Sequence, residues 1–189
     1  MATGSAQQAL EALARRYSAE AHEPPDTAGE PQVWRGTALG IAGVPLLVAV
    51  GELEEIIETP AVTPIPGTKA WVLGVASHMG GVLPILSGDA LFRGRPHTGR
   101  VREFCMVIKR PGMHFGLTLS DVERDLKFPV GDRDREHPVD EDFAPFTDGG
   151  FHCGERFLAV LDIDRLVADS DLGNAAATRA PANEEYCNE

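Results

Sequence analysis

A chain of 189 residues with 43% hydrophobic side chains can bury a real core, as one domain or as two small ones sharing an interface. Its formal net charge of −12 argues against nucleic acid and anionic membrane surfaces as partners, because both select clustered Lys and Arg. Three cysteines, Cys105, Cys153 and Cys187, are an odd number without C-x-x-C spacing, which supports neither a disulfide framework nor a zinc site and fits a reducing cytoplasm. With no membrane-length apolar run and no charged-then-apolar leader at the N-terminus, the expectation is a soluble, unsecreted protein.

In chain order, SAQQALEALARRYSAEAHE carries Leu10, Leu13 and Tyr17 at helical spacing, with Ser5 placed to cap the helix. The segment PPDTAGEP, Pro24 to Pro31, reads as a linker, so residues 1–32 are an N-terminal helix and linker and the globular part begins at Val33. Two apolar runs parted by Ala42-Gly43 predict a strand, tight turn and strand. Gly51 to Glu55 can begin a helical turn before a strand over Ile56 to Thr59. From Pro66 to Leu86, PGTKAWVLGVASHMGGVLPIL holds a second hairpin, with Gly80-Gly81 at the turn and Pro84 directing its strand to an edge or a bulge. Ser87 then caps a short helix, SGDALFRG, with Asp89 in its first turn and Gly94 at its stop. The turn-rich, basic RGRPHTGR marks a boundary.

After Arg100 the same order returns. REFCMVIKR, Pro111-Gly112 and MHFGLTL repeat the first hairpin; SDVERDLKFPV echoes GELEEIIETP; GGFHCGERFLAVLDI repeats the second hairpin with Cys153-Gly154 at its turn; and DIDRLVADS closes as a helix. The reading is one domain over 33–167, with subdomains 33–99 and 100–167, followed by a tail over 168–189 expected to be disordered. About five short strands per module leave edges that only a curled sheet can hide, so the fold class is all-β with short helices, as two β-barrels packed side by side. Gly131 to Pro145, dense in charge and proline, reads as a solvated loop with a helical turn near Val139 to Phe143.

Chemistry is sparse. No nucleotide-binding, nucleophile-elbow or zinc-protease motif occurs. Asp132, Asp134 and Glu136 alternate like a calcium loop, but Arg133 and Arg135 intervene and the glycine at the sixth place is missing. His152 and Cys153 could join His114 as metal ligands on adjacent strands, although nothing in the spacing asks for it. The expectation is therefore no catalytic residue, no metal and no cofactor.

VTPIPGTKAWVLGVASHMGGVLPIL also resembles the signature of CheW-like chemotaxis coupling proteins, PG-x-x-x-W-x-x-G-V-x-N-x-R-G-x-x-x-P-V. Trp71, Gly74, Val75, Gly80 and Pro84 fall in register, while Ser77 replaces the usual Asn and Met79 the usual Arg. The resemblance runs from about Trp34 to Leu166. It implies two five-stranded, SH3-like barrels with a groove between them, and a non-enzymatic adaptor that couples a methyl-accepting chemoreceptor to a chemotaxis histidine kinase. The partners it implies are the kinase regulatory domain and the receptor's cytoplasmic tip; the location it implies is the cytoplasm, at membrane receptor arrays joined through those partners. The N-terminal helical extension, the W-x-G opening and the long acidic loop are most similar to the PilI-type branch, which serves type IV pilus twitching motility. Carried over by position, the partner-facing residues are Leu53, Glu55, Gly74, Met79 and Gly80. In the family the Arg at position 79 often pairs with the acid at position 55, an ion pair Met79 cannot make. Core packing for Leu53, turn or strand geometry for Gly74 and Gly80, and plain solvation for Glu55 explain the same residues as well. The competing functional reading is a small-ligand-binding or enzymatic protein that uses the groove between the modules.

Overall fold

Two-residue turns with left-handed residues set the local pairing. The computed structural model describes residues 32–94, 103–168, 172 and 174–175. The helix and linker expected before Val33 lie outside the described residues. The strands are β1 (Val33–Ile41), β2 (Val44–Ala49), β3 (Glu55–Glu58), β4 (Val72–His78), β5 (Gly81–Leu86), β6 (Phe104–Arg110), β7 (Met113–Leu119), β8 (Val122–Pro129), β9 (Thr147–Cys153) and β10 (Arg156–Leu161). Among the described residues two short helices, α1 (Gly88–Arg93) and α2 (Ile163–Ala168), each follow a second hairpin. Ser87 accepts the Ala90 amide and Gly94 closes α1 in the left-handed conformation, as the sequence predicted.

The hairpin turns sit one residue from where two of them were expected. Met79-Gly80, with φ of 47° and 76°, joins β4 to β5, so the turn is not Gly80-Gly81. Ala42-Gly43, with φ of 52° and 80°, joins β1 to β2 in the same way. Positive φ at both central residues is the type I′ pattern, whose twist matches that of the strands it connects. Between β9 and β10 the turn residues are Gly154 and Glu155, since Cys153 still pairs with Arg156. No helical turn forms over Gly51 to Glu55, where bends lead directly into β3.

Each sheet has five strands, ordered β8-β1-β2-β10-β9 and β3-β6-β7-β5-β4. These orders correct the sequential division at residue 99. The repeat of element order is present, but the first hairpin of each half has changed places: β1-β2 lies in the sheet of β8, β9 and β10, and β6-β7 lies with β3, β4 and β5. Short parallel ladders make the joins, Leu46 and Leu47 against Ala159 and Val160 in one sheet, Ile85 and Leu86 against Gly116 and Leu117 in the other. Pro84 consequently sits on an interior strand and not on an edge. It is tolerated because the β7 ladder begins only at Ile85, so no partner on that side needs an N–H from Pro84.

The architecture is two curled five-stranded sheets with three apolar cores. Ala38, Leu47, Phe128, Phe151, Leu158 and Val160 fill the barrel of β8-β1-β2-β10-β9. Ala76, Leu83, Ile85, Cys105 and Val107 fill the other. The third and most extensive core lies where the barrels meet, joining Leu39, Ile41, Leu46 and Val48 to Met106, Ile108, Phe115 and Leu117. Alternation explains the split, because successive strand residues face opposite sides and each barrel wall buries both. Leu172 is buried in this shared core, and the Lys69 amide donates to the Ala175 carbonyl at 2.9 Å. The start of the 168–189 segment therefore packs on the body, contrary to the expected disorder. The helical turn expected at Val139 to Phe143 is present, the Phe143 and Ala144 amides both donating to the Asp140 carbonyl at 3.0 and 2.9 Å, and a 3₁₀ turn at Ala144–Phe146 follows it beside the buried, Arg93-facing ring of Phe143.

Candidate functional site

β3 and β4 stand at opposite edges of their sheet, yet they carry residues that touch. Glu55 Oε1 lies 2.7 Å from His78 Nε2, an ion-pair contact without hydrogen-bond alignment, so the curled sheet meets itself through side chains. The expected acid at position 55 is thus neither paired through position 79 nor simply solvated. His78, one residue earlier, occupies that role. Its signal in the sequence is the basic side chain beside Met79, on the strand end that a hairpin turn projects.

Beyond His78 the turn turns outward. Met79 is 82% exposed and Val82 is 71% exposed, which leaves two apolar side chains in water beside the Glu55–His78 contact. Gly80 supplies the second left-handed turn position. Gly74 belongs to the interior instead. The strap after β3 pairs with β4 at Thr63 and Val75, each donating its N–H to the other's carbonyl at 2.8 and 2.9 Å. A Cβ on Gly74, at φ 143°, would lie 2.1 Å from the Thr63 carbonyl oxygen, so only glycine lets the strap dock.

Leu53 is half-buried against the shared core. Acids flank it on both sides and tie the bend to its neighbours. Glu52 pairs with Arg110, which also donates from Nε to Asp164 Oδ1 at 2.6 Å. Glu54 accepts from Lys109 Nζ at 3.1 Å and lies 3.0 Å from His114 Nε2. The Lys109 hydrogen bond, more than any other cause, holds the Glu54 carboxyl below its usual range. His114 is thereby committed to Glu54 and does not join His152. Behind β3, burial pushes the Cys105 thiol up to about 11, with the Glu55 charge adding to the rise, so it is an inert core thiol. Of the five residues carried over by resemblance, Glu55, Met79 and Gly80 gather at one end of this barrel, Leu53 leads into it, and Gly74 is its structural neighbour.

A cleft of about 470 Å³ lies elsewhere, between β1, β2, β8, β10 and the Ser120-Asp121 link, with Arg156 and Glu123 in its lining. Those two pair with each other at 3.1 Å. The cleft belongs to one sheet and its link, so it is not the groove between modules that the competing reading requires. Among the described residues no helix is long and apolar enough to cross a membrane.

Comparison with known proteins agrees with this architecture. Residues 38–171 match the family described as CheW-like domain. Protein PilI of Pseudomonas aeruginosa is 29% identical over 128 residues, covering 67% of this chain and 72% of that protein. The crystal structure of scaffolding protein TtCheW from Thermoanaerobacter tengcongensis superposes with a TM-score of 0.58 at 14% identity, over 69% of this chain and 90% of that one. With two curled five-stranded sheets, a strapped second hairpin and a family match over most of its length, this chain belongs to the CheW-like domain family.

Proposed function

We propose that the protein is a non-enzymatic adaptor that couples a methyl-accepting chemoreceptor to a chemotaxis histidine kinase, in a pathway controlling type IV pilus twitching motility. The observation that carries this reading is the β4-β5 turn, where Met79 and Val82 stand in water next to a charged seam. A flexible, polarizable Met adapts to an apolar partner surface, and its exposure has no use within the fold. Family membership supports the adaptor class, and similarity to a protein named PilI supports the pilus branch. The small-ligand alternative gains little from the cleft, whose Arg156 and Glu123 already pair with each other.

The test is a two-probe binding experiment with the full chain, a purified receptor-tip fragment and a purified kinase regulatory domain. Micromolar binding to each, and a ternary complex when all are mixed, is the expected result. Binding to neither probe overturns the adaptor reading. Binding to receptor and kinase from a flagellar system but not a pilus system overturns only the branch.

A further inference from the structure

The 130–146 loop brings together three side chains that the sequence keeps apart. Asp134 docks on β9 as a strap, exchanging backbone hydrogen bonds with Gly150 at 2.9 and 2.7 Å. That docking sets its carboxylate beside His152 and places His137 within reach of both. Asp134 Oδ2 lies 3.3 Å from His152 Nε2 and 3.9 Å from His137 Nδ1. One donor atom from each of the three falls within 4.8 Å of the others.

We infer that Asp134, His137 and His152 form a binding site for a divalent transition-metal ion of the zinc class. In a tetrahedral site with bonds of about 2.0–2.1 Å, neighbouring ligand atoms are about 3.3–3.4 Å apart. The carboxylate to His152 separation already has that value, and the separation to His137 exceeds it by roughly half an ångström. Two imidazole nitrogens favour zinc and its neighbours over calcium or magnesium, which prefer oxygen.

The ligands are held in the way metal ligands are held. Asp134 Oδ1 accepts the backbone N–H groups of Glu136 and His137 at 2.9 and 3.0 Å, which fixes the carboxyl plane and leaves Oδ2 turned to the imidazoles. Phe157 backs both rings, stacking on His137 at 3.9 Å between centroids and meeting His152 edge-on at 5.1 Å. His152 is half exposed, which gives an ion a route in and leaves a fourth position for water or an added ligand. A bound ion would cross-link the strap to β9. This site departs from the metal-free expectation of the sequence and is independent of the adaptor reading.

The experiment is isothermal titration of zinc chloride into the chelator-stripped full chain, repeated with cobalt chloride under visible absorption. One site per chain with Kd below about 10 µM is expected, with the cobalt complex showing tetrahedral d–d bands. His137→Gln, His152→Gln and Asp134→Asn should each weaken binding at least tenfold, whereas His114→Gln should leave it unchanged. Zinc should raise the unfolding midpoint of the native chain and not of His152→Gln, whose midpoint with chelator should equal the native one. Millimolar affinity overturns the inference, as does binding that survives both His substitutions or that is lost with Cys153→Ser or Cys187→Ser instead.

Discussion

The two barrels share a plan and close it with opposite chemistry. Each has an edge strand, an exchanged hairpin and a strapped hairpin, and each strap docks beside a left-handed glycine, Gly74 under Thr63 and Gly149 under Asp134. In the β8-to-β9 barrel the edges meet through a dry seam, with Phe128 stacked on Phe151 at 4.8 Å and Trp34 against both rings. In the β3-to-β4 barrel they meet through Glu55 and His78. A packed cluster of rings buries far more apolar surface than a single polar contact, even one whose two atoms are shielded from water. One barrel therefore closes on packed rings, and the other on one polar contact beside the exposed turn.

Removing the exchanged hairpin gives the largest expected effect. A fragment over 33–99 lacks β6 and β7 and so loses both neighbours on which β3 and β5 pair. It also exposes the shared core, where fully buried side chains such as Leu46, Met106, Ile108 and Leu117 stabilise by about 1.5–3 kcal/mol each. Such a fragment should show no cooperative thermal transition by circular dichroism, while 33–175 should melt as one unit. A folded 33–99 fragment would contradict the exchange.

Substitutions in the two seams come next and compare them directly. Phe151→Ala removes a fully buried ring from the aromatic cluster and should cost about 3–5 kcal/mol in a urea titration. His78→Gln removes one polar contact between two buried atoms and should cost less, about 1–3 kcal/mol. Equal losses in the two variants would show that the polar seam is as structural as the dry one.

Local features of this fold were legible in the sequence because local chemistry dictates them. Ser87, Gly94, the turn glycines and the repeated order of short apolar runs each answer a backbone requirement within a few residues. The exchange of β1-β2 with β6-β7 was not legible, because both hairpins are pairs of apolar runs about a tight turn and nothing local names a partner strand. The site was half legible for the same reason. Met79 and Gly80 are marked by turn geometry, but the Glu55–His78 contact exists only when two sheet edges curl together. Asp134, His137 and His152 likewise meet only through a strap that the loop's composition does not announce.

An acid titration separates the barrels' shared fastening from their seams. Arg93, at the end of α1 after β5, holds Asp140 with two hydrogen bonds of 3.0 and 2.8 Å, and so ties one barrel's helix to the other's loop. The Arg93 hydrogen bond keeps the Asp140 carboxyl below its ordinary value of 3.8. A carboxyl depressed in the folded state adds stability that is complete above the unfolded value and is lost as pH falls through the folded one. Arg93→Ala should therefore cost about 1 kcal/mol at neutral pH and progressively less below pH 3.8. A constant difference at all pH values would assign the loss to packing of Arg93 over the Phe143 ring, 5.9 Å away, and not to charge.

The smallest effect on stability, and of opposite sign, belongs to Met79. Its φ of 47° is one that side chains other than Asn and Gly adopt at a cost, and its side chain is 82% exposed, so the fold gains no burial in return. Asn-Gly is the preferred pair for this turn type. Met79→Asn should therefore raise the unfolding free energy by about 0.5–1 kcal/mol, and Met79→Ala should leave it nearly unchanged. Binding should move the other way. If the turn is the apolar anchor of the coupling surface, both variants should weaken affinity for a receptor-tip fragment by about tenfold or more, because an anchor excluded from water is worth ~2 kcal/mol. Glu55→Gln should change that affinity little, since its partner is His78 within the same barrel. The decisive comparison is of Met79→Asn with Glu55→Gln in one titration series. Should Glu55→Gln abolish binding while Met79→Asn binds as well as the native chain, the charged seam and not the exposed turn is the recognition element, and the strained Met is a feature with no role in coupling.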